Sequence, residues 1–272
     1  MNRIKKKVGQ AYFQARGYYP TSIGGSKFKL DPYHIGFWRS VQRDQWEPQT
    51  FKIMSRFISA DSIYCDVGAW IGPTVVYAAK ICKKVICFEP DPHAYKYLRW
   101  NIDLNELHNV SSYSIALSNE TSIQRMSSLG GNLGDSMASL LMGSTWRSPW
   151  QQLKPNNSGE SNAVDVLAIK WDEFINLSKI EKIDFLKIDI EGGEFALLPS
   201  MRDYLSLYKP IVYLSTHAPY LDVELRKEKM QQVIDVMGMY KNCLDENLRP
   251  IDISELVSDD AITNFRSYIF MD

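Results

Sequence analysis

A glycine-containing turn and an acid that follows it along the chain could together bind a nucleoside. The turn runs from Asp66 to Gly72, and Gly68 and Gly72 let its backbone approach a ligand ahead of a helix with free N–H groups. Glu89 follows about twenty residues later, at the end of the next predicted strand, where a carboxylate can accept hydrogen bonds from both hydroxyls of a ribose. Singly, Asp66 could cap a turn and Glu89 could be a solvated loop acid. Their order along the chain favours nucleoside-cofactor binding.

The spacing of the turn separates two classes of nucleoside cofactor. A dinucleotide site carries G-x-G-x-x-G, whereas here two glycines stand four apart with the bulky Trp70 between them and no third glycine. This leaves less room for a pyrophosphate and favours S-adenosylmethionine. A nicotinamide-linked sugar oxidoreductase or epimerase stays open as an alternative, although neither Tyr95 nor Tyr97 has a lysine four residues on. A non-catalytic cofactor-binding protein is a further alternative.

A second group of reactive side chains follows two later predicted strands. Asp189, Glu191 and Glu194 follow one strand and His217 the next, at the sheet edge where ligands of parallel sheets bind. Carboxylates and an imidazole could remove a hydroxyl proton, or they could hold a hard divalent cation such as Mg²⁺. Glu194 could instead only favour the start of a helix. The residues predicted to be catalytic are His217, Asp189 and Lys187, and a metal is predicted on Asp189, Glu191 and His217 as a variant.

Alternating short apolar runs and helical periods predict the elements that position these residues. Strands are expected over residues 62–67, 85–88, 110–117, 183–190 and 211–215, and later ones near 239–244 and 266–271. Helices are expected from 73 to about 80, through Tyr95, Leu98 and Ile102, over 171–177, after Gly193 and over 223–236. This order predicts an α/β fold with a mostly parallel sheet.

Two regions interrupt the alternation. Residues 118–165 are rich in Ser, Gly and Asn and are expected to form an insertion. Trp146, Arg147 and Trp150 could form a lid over an acceptor, or this stretch could be a surface loop whose tryptophans pack on the N-terminal cap. Residues 1–50 are expected to form a small N-terminal cap that contains a strand or two, and residues 51–272 a catalytic domain.

Composition narrows the function classes. The 31 basic and 32 acidic side chains nearly cancel, so nucleic acid is not an expected partner and a small-molecule or saccharide acceptor is. The basic run of Arg3, Lys5, Lys6 and Lys7 allows at most a peripheral membrane contact. Four cysteines without C-x-x-C spacing, and no apolar run of spanning length, predict a cytoplasmic protein.

Four segments resemble the successive motifs of FkbM-type methyltransferases. They are Asp66-Val67-Gly68-Ala69-Trp70-Ile71-Gly72, Phe88-Glu89-Pro90, Ser114-Ile115-Ala116-Leu117-Ser118 and Lys187-Ile188-Asp189-Ile190-Glu191-Gly192-Gly193-Glu194. The resemblance spans residues 28–217, and its Lys-Ile-Asp-Ile-Glu-Gly segment is the most specific part. It implies a Rossmann-like class I methyltransferase sheet of seven strands, the last antiparallel, and O-methylation, often of sugars.

The resemblance also implies roles for individual residues. Asp66 and Gly68 would line the methionine and ribose portion of S-adenosylmethionine, Glu89 its ribose hydroxyls, and Ala116 with its neighbours the adenine. The full set expected at the donor is Asp66, Gly68, Ala69, Gly72, Glu89, Pro90, Ala116 and Asp189.

Overall fold

Strands and helices alternate through most of the chain in the computed structural model, which describes residues 3–128, 134, 136, 138–140, 163–180 and 182–272. The strands are β1 (Tyr19–Ile23), β2 (Ser26–Leu30), β3 (Ile63–Val67), β4 (Lys84–Phe88), β5 (Val110–Tyr113), β6 (Ala116–Ser118), β7 (Ser122–Ser128), β8 (Ala138–Leu140), β9 (Ala163–Lys170), β10 (Phe185–Ile188), β11 (Ile211–Thr216), β12 (Asn242–Asp245), β13 (Pro250–Ile251) and β14 (Arg266–Met271).

The α-helices lie mostly between consecutive strands of the sheet. They are α1 (Arg3–Arg16), α2 (Ile35–Gln42), α3 (Pro48–Phe57), α4 (Pro73–Ala78), α5 (Pro92–Leu104), α6 (Trp171–Ser178), α7 (Glu194–Ser200), α8 (Arg202–Tyr208), α9 (Val223–Met237) and α10 (Asp259–Thr263). Short 3₁₀ helices cover Ala218–Tyr220 and Ile253–Val257. Prolines at the first position of α3, α4 and α5 supply the backbone angle that starts a helix. None of the described helices is long and apolar enough to cross a bilayer.

The central sheet has the strand order β13-β12-β14-β11-β10-β3-β4-β5. Strands β3, β4, β5, β10 and β11 pair in parallel, while β14 runs antiparallel to both β11 and β12. The predicted Rossmann-like sheet with an antiparallel last strand is therefore confirmed, and the two-residue β13 adds an eighth strand at its edge. From β3 the chain adds β4 and β5 on one side and later adds β10 on the other side, so the strand order reverses between β3 and β10. Ligands of open parallel sheets bind at such a reversal.

The predicted strand over 110–117 is wrong in one respect, because the chain divides it between two sheets. Residues of β5 stay in the central sheet, whereas β6 pairs with β9 in a second sheet of order β6-β9-β7-β8. The division follows from burial: Ala116 packs with Met126, Leu140, Val166 and Ala168 in a small core of that second sheet. The described part of the expected insertion is thus mostly β structure, while Trp146, Arg147 and Trp150 lie outside the described residues.

The N-terminal segment shares a hydrophobic core with the central sheet. The β1–β2 hairpin supplies the strands expected in residues 1–50, and Trp38 and Met54 of α2 and α3 are fully buried against β3, α4 and α5. The expected boundary at residue 50 falls inside α3. Because the N-terminal segment packs on the central sheet, the first residues of α3 lie at the same sheet edge as the turn after β3.

Gly68 is the position where the turn after β3 passes closest to a neighbouring strand. Its φ is +91°, and a Cβ there would lie 1.9 Å from the carbonyl oxygen of Asp189. Gly25 has nearly the same backbone angle, φ +83°, but a Cβ there would meet nothing within 4 Å.

We expect Gly68→Ala to lower the free energy of unfolding by about 2–5 kcal/mol, since it adds a clash to the cost of the left-handed backbone. Gly25→Ala should cost only about 1–2 kcal/mol, because it carries the backbone cost alone. Urea unfolding of both variants measures the difference. Equal losses would show that the close approach to Asp189 does not constrain the fold.

Candidate active site

Two cavities meet at the carboxyl ends of β3, β4, β10 and β11. The larger, which we call the cleft, has a volume of about 390 Å³ and is bordered mainly by polar side chains. The smaller, which we call the slot, has a volume of about 60 Å³ and lies between the central and second sheets. Gly68, Trp70, Asp189 and Glu191 border both cavities. The site is therefore one continuous depression with an apolar end and a charged end.

The slot has a mainly apolar lining, with Glu89 as the acid that does not also border the cleft. Its apolar residues are Val67, Trp70, Phe88, Pro90, Ile115, Ala116, Leu117, Met126, Leu140 and Ile190, and Asp189 and Glu191 lie where it meets the cleft. Apolar walls suit the faces of a purine, and a carboxylate suits ribose hydroxyls. The slot is far smaller than usual ligand pockets of about 300–1,000 Å³. A nucleoside therefore fits its chemistry but requires the cover formed by β7 and β8 to move outward.

Glu89 is held with both carboxylate oxygens at the slot. Oε2 accepts a hydrogen bond from the backbone N–H of Trp70 at 2.7 Å, and Oε1 accepts one from that of Asp91 at 2.8 Å. Burial raises the pKa of Glu89 to about 8, against the opposite effect of these two N–H groups. Each oxygen keeps a second lone pair for a ligand hydroxyl.

The turn from residue 66 to 72 is fixed by backbone contacts. The N–H groups of Gly68 and Ala69 both donate to the carbonyl of Phe88, at 3.1 and 2.9 Å. Trp70 adopts a left-handed φ of +49°, and its indole N–H donates to the carbonyl of Gly134 at 2.9 Å. Gly68 and Ala69 border the cleft, whereas Gly72 lies against Leu98 at the start of α4.

Asp66 and Lys187 form a buried ion pair beneath this turn. The Lys187 Nζ lies 3.4 Å from Asp66 Oδ1 and 3.2 Å from Asp189 Oδ2, and Thr74 donates a hydrogen bond to Asp66. Burial alone would lower the pKa of Lys187, but the charges of Asp189 and Asp66 raise it well above its usual value. Asp66 is fully buried, so it orients the turn and Lys187 from below.

His217 lies at the centre of three carboxylates at the charged end of the cleft. Its Nδ1 is 3.2 Å from Glu194 Oε1, which also accepts the His217 backbone N–H at 2.7 Å. Its Nε2 points the other way, 3.5 Å from Asp189 Oδ1 and 3.4 Å from Glu191 Oε2. Glu194 is fully buried and its second oxygen accepts the N–H of Gly192. Glu194 therefore orients the imidazole in addition to beginning α7.

The charges around His217 decide which group can accept a proton. Burial alone would lower the pKa of His217, but Glu194, Glu191 and Asp189 raise it to about 9. Burial would raise the pKa of Asp189, but Lys187 and His217 lower it, while burial raises the pKa of Glu191 to about 7. At neutral pH the imidazole of His217 is therefore in its positively charged form, and the carboxyl of Asp189 is ionised.

Asp189, Glu191 and His217 also form a group that could hold a cation. One ligand atom from each lies within 4.8 Å of the others. Two carboxylates suit a hard divalent cation, and a buried acid on the far nitrogen of the histidine is the usual support for a metal-ligating imidazole. The donor set therefore fits a divalent ion as well as it fits proton transfer.

One comparison with known proteins identifies the family of the chain. The family model described as "Methyltransferase FkbM domain" matches residues 66–246, about two thirds of the chain. The chain belongs to the FkbM methyltransferase family. No individually curated protein matches the sequence.

Solved structures show low similarity to this FkbM-family chain. Methyltransferase FkbM from Methylobacillus flagellatus KT is 17% identical over 78% of this chain and 44% of its own, with a TM-score of 0.46. Trm5b from Pyrococcus abyssi is 14% identical over 93% and 55%, with a TM-score of 0.41. Precorrin-6y C5,15-methyltransferase from Geobacter metallireducens GS-15 is 10% identical over 82% and 88%, at 0.42. The chain therefore spans only about half the length of the first two.

The structure also brings residues to the FkbM-family site that the sequence did not single out. Glu47, Thr50, Tyr220, Phe265 and Arg266 all border the cleft. They come from the N-terminal segment, the 3₁₀ helix after β11 and the start of β14, and no motif marks them. Only the packing of these distant segments on one sheet edge identifies them.

Replacing Lys187 by Met should lower the free energy of unfolding by about 3–5 kcal/mol, because it leaves Asp66 and Asp189 without their buried partner. Asp66→Asn in the same chain should restore part of that loss. The matched control is Lys182→Met, whose exposed pair with Asp184 should contribute at most about 1 kcal/mol. Chemical denaturation measures all three, and similar losses in the two single variants would contradict the structural role of Lys187.

Proposed function

We propose that the chain is an S-adenosylmethionine-dependent O-methyltransferase that acts on a small acceptor, a sugar-type hydroxyl. The observation that carries the proposal is the apolar slot that ends in Glu89 and opens into the charged cleft. An adenosine with a charged tail matches an apolar slot that leads into a charged cleft. Pro90 and Ala116 border the slot and Ala69 and Asp189 the cleft, as the family's donor site requires.

Methyl transfer needs positioning and removal of one proton. The bound donor supplies an electrophilic methyl group on a sulfonium, which an acceptor oxygen displaces in line as the carbon–sulfur bond breaks. In this proposal Asp189 accepts the hydroxyl proton, since it is ionised at neutral pH and borders both cavities. Protonated His217, held by Glu194, stabilises the ionised carboxylate until the proton arrives.

Aromatic rings beside His217 support a sugar as the acceptor. The ring of Tyr220 stacks on His217 with an interplanar angle of 9°, and Phe265 packs edge-on against Tyr220 at 5.0 Å. Phe265 is 55% exposed at the mouth of the cleft. An exposed aromatic face next to polar groups suits the apolar face and hydroxyls of a sugar ring.

A divalent cation is a second route to the same proton loss. Asp189, Glu191 and His217 would hold it, and its charge would lower the pKa of a bound hydroxyl. The cation would have to displace the proton from His217, so its affinity would rise with pH.

The donor is tested by calorimetric titration with S-adenosylhomocysteine and, separately, with NAD. We expect micromolar affinity for the first at a pH above 8, weakened at least tenfold by Glu89→Ala, since the ribose hydroxyls lose a charged acceptor. Binding of NAD alone would overturn the proposal and favour redox chemistry.

The pH dependence of the same titration tests the role of Glu89. Ribose hydroxyls donate to the ionised carboxylate, whereas a pKa of about 8 leaves Glu89 largely protonated at neutral pH. Affinity for S-adenosylhomocysteine should therefore rise as the pH increases towards 8 and level off above it. Glu89→Gln removes the titrating carboxyl, so the rise in affinity with pH should be smaller or absent in this variant. The same pH dependence in the variant and the unmodified protein would contradict the role of Glu89 at the ribose.

The cation route is tested with Mn²⁺ as the probe, by the electron paramagnetic resonance signal of the free ion in the presence of S-adenosylhomocysteine. If the cation site forms, Glu191→Gln should weaken Mn²⁺ binding about tenfold or more. Glu246→Gln, in the same cleft but outside the group of three ligands, should leave it unchanged. No Mn²⁺ binding by the unmodified protein would leave Asp189 as the proton acceptor without a metal.

A further inference from the structure

Glu47 is an acid of the cleft to which neither the family motifs nor the proposed proton transfer gives a role. It precedes α3 with a left-handed φ of +40°, and its side chain accepts no capping hydrogen bond from the backbone N–H groups at the helix start. Its side chain borders the cleft together with Gly68, Ala69 and Thr74. The aromatic group near His217, where we place the acceptor, comes from other segments.

The carboxylate of Glu47 is fixed from below. Thr50 donates its hydroxyl to Glu47 Oε2 at 3.1 Å, and the same hydroxyl lies 3.0 Å from the hydroxyl of Tyr213 on β11. Thr50 is 1% exposed, so this connection runs through the interior to the central sheet. Among the described residues no hydrogen bond reaches Oε1 and no ion pair involves Glu47. An anchored carboxylate thus presents one free oxygen to the cleft.

The surroundings of Glu47 favour a cationic partner. The side chain of Glu47 is partly open to water in the cleft. Loss of water on its protein-facing side and the charge of Asp189 raise the pKa of the Glu47 carboxyl, and the charge of Lys187 lowers it. Lys187 is already engaged by Asp66 and Asp189, so it cannot neutralise Glu47 as well. A ligand ammonium at Oε1 would supply the missing positive charge.

We infer that Glu47 binds the α-ammonium group of the donor's methionine portion. The inference rests on the proposed function, because a nucleoside bound in the slot would send its tail past Gly68, which borders both cavities, into the cleft that Glu47 also borders. Glu47 Oε1 accepts from the ammonium while Oε2 stays on Thr50. Glu47 is therefore a determinant of the amino-acid end of the donor and makes no contact with its adenosine end.

The test compares ligands that share the adenosine but differ in the tail. Titrations use S-adenosylhomocysteine, its deaminated analogue, which keeps the carboxylate, and 5′-methylthioadenosine, which has no amino-acid portion. Glu47→Gln, which keeps the hydrogen bond from Thr50, should weaken S-adenosylhomocysteine by about 10- to 100-fold. It should leave the affinity for the other two within about twofold, since a charged hydrogen bond is lost only where an ammonium is present.

Two control variants separate this inference from its alternatives. Asp44→Asn removes a charge from another left-handed residue of the same segment that does not border the cleft, and it should change none of the three affinities. Glu89→Ala should weaken all three. Equal weakening of all three ligands by Glu47→Gln, or no weakening, would overturn the role of Glu47. Failure of the unmodified protein to bind any of the three would instead overturn the S-adenosylmethionine proposal.

Discussion

The buried ammonium of Lys187 is the interaction on which the rest of the site depends. Lys187 and Asp66 are register partners on the adjacent strands β10 and β3, and Asp189 begins the turn after β10. Burying the charges of Lys187 and Asp66 is costly unless each keeps a close opposite charge, so the two strand ends cannot shift independently. The glycine turn leaves from one of these ends and the turn with Asp189 and Glu191 from the other. One ion pair thus helps to set the distance between the proposed donor side and the proposed proton acceptor.

Backbone conformation around this pair is unusual at several positions that face the ligand. Trp70, Glu191 and Glu47 are non-glycine residues with left-handed φ angles of +49°, +53° and +40°. Such residues persist only when their surroundings hold them. The N–H of Trp70 is held by Glu89, and its ring packs edge-on against Phe37 at 4.6 Å. Contacts within the protein thus hold Trp70 in its left-handed conformation.

The sequence was informative wherever local pattern and parallel-sheet topology act together. Short β-branched runs located the central strands, and an acid after each of two strands located Glu89 and Asp189. It failed where the decisive contact is tertiary. Nothing local to Ala116 shows that the chain changes sheets after Tyr113, because the change depends on packing against Met126 and Leu140. Likewise the sequence indicates only that a glutamate at the start of α7 favours the helix dipole. The approach of β11 makes Glu194 the partner of His217.

The excess of carboxylates has a direct consequence for the proposed reaction. Before transfer the donor brings one positive charge on its sulfonium, and afterwards the sulfur is a neutral thioether while the acceptor has released a proton. If Asp189 keeps that proton, the net charge of the cleft is the same before and after the step. Because charge changes are costly in a partly buried environment, a proton acceptor inside the cleft is favoured over direct release to water. The same carboxylates that stabilise the cationic donor then stabilise the proton that replaces it.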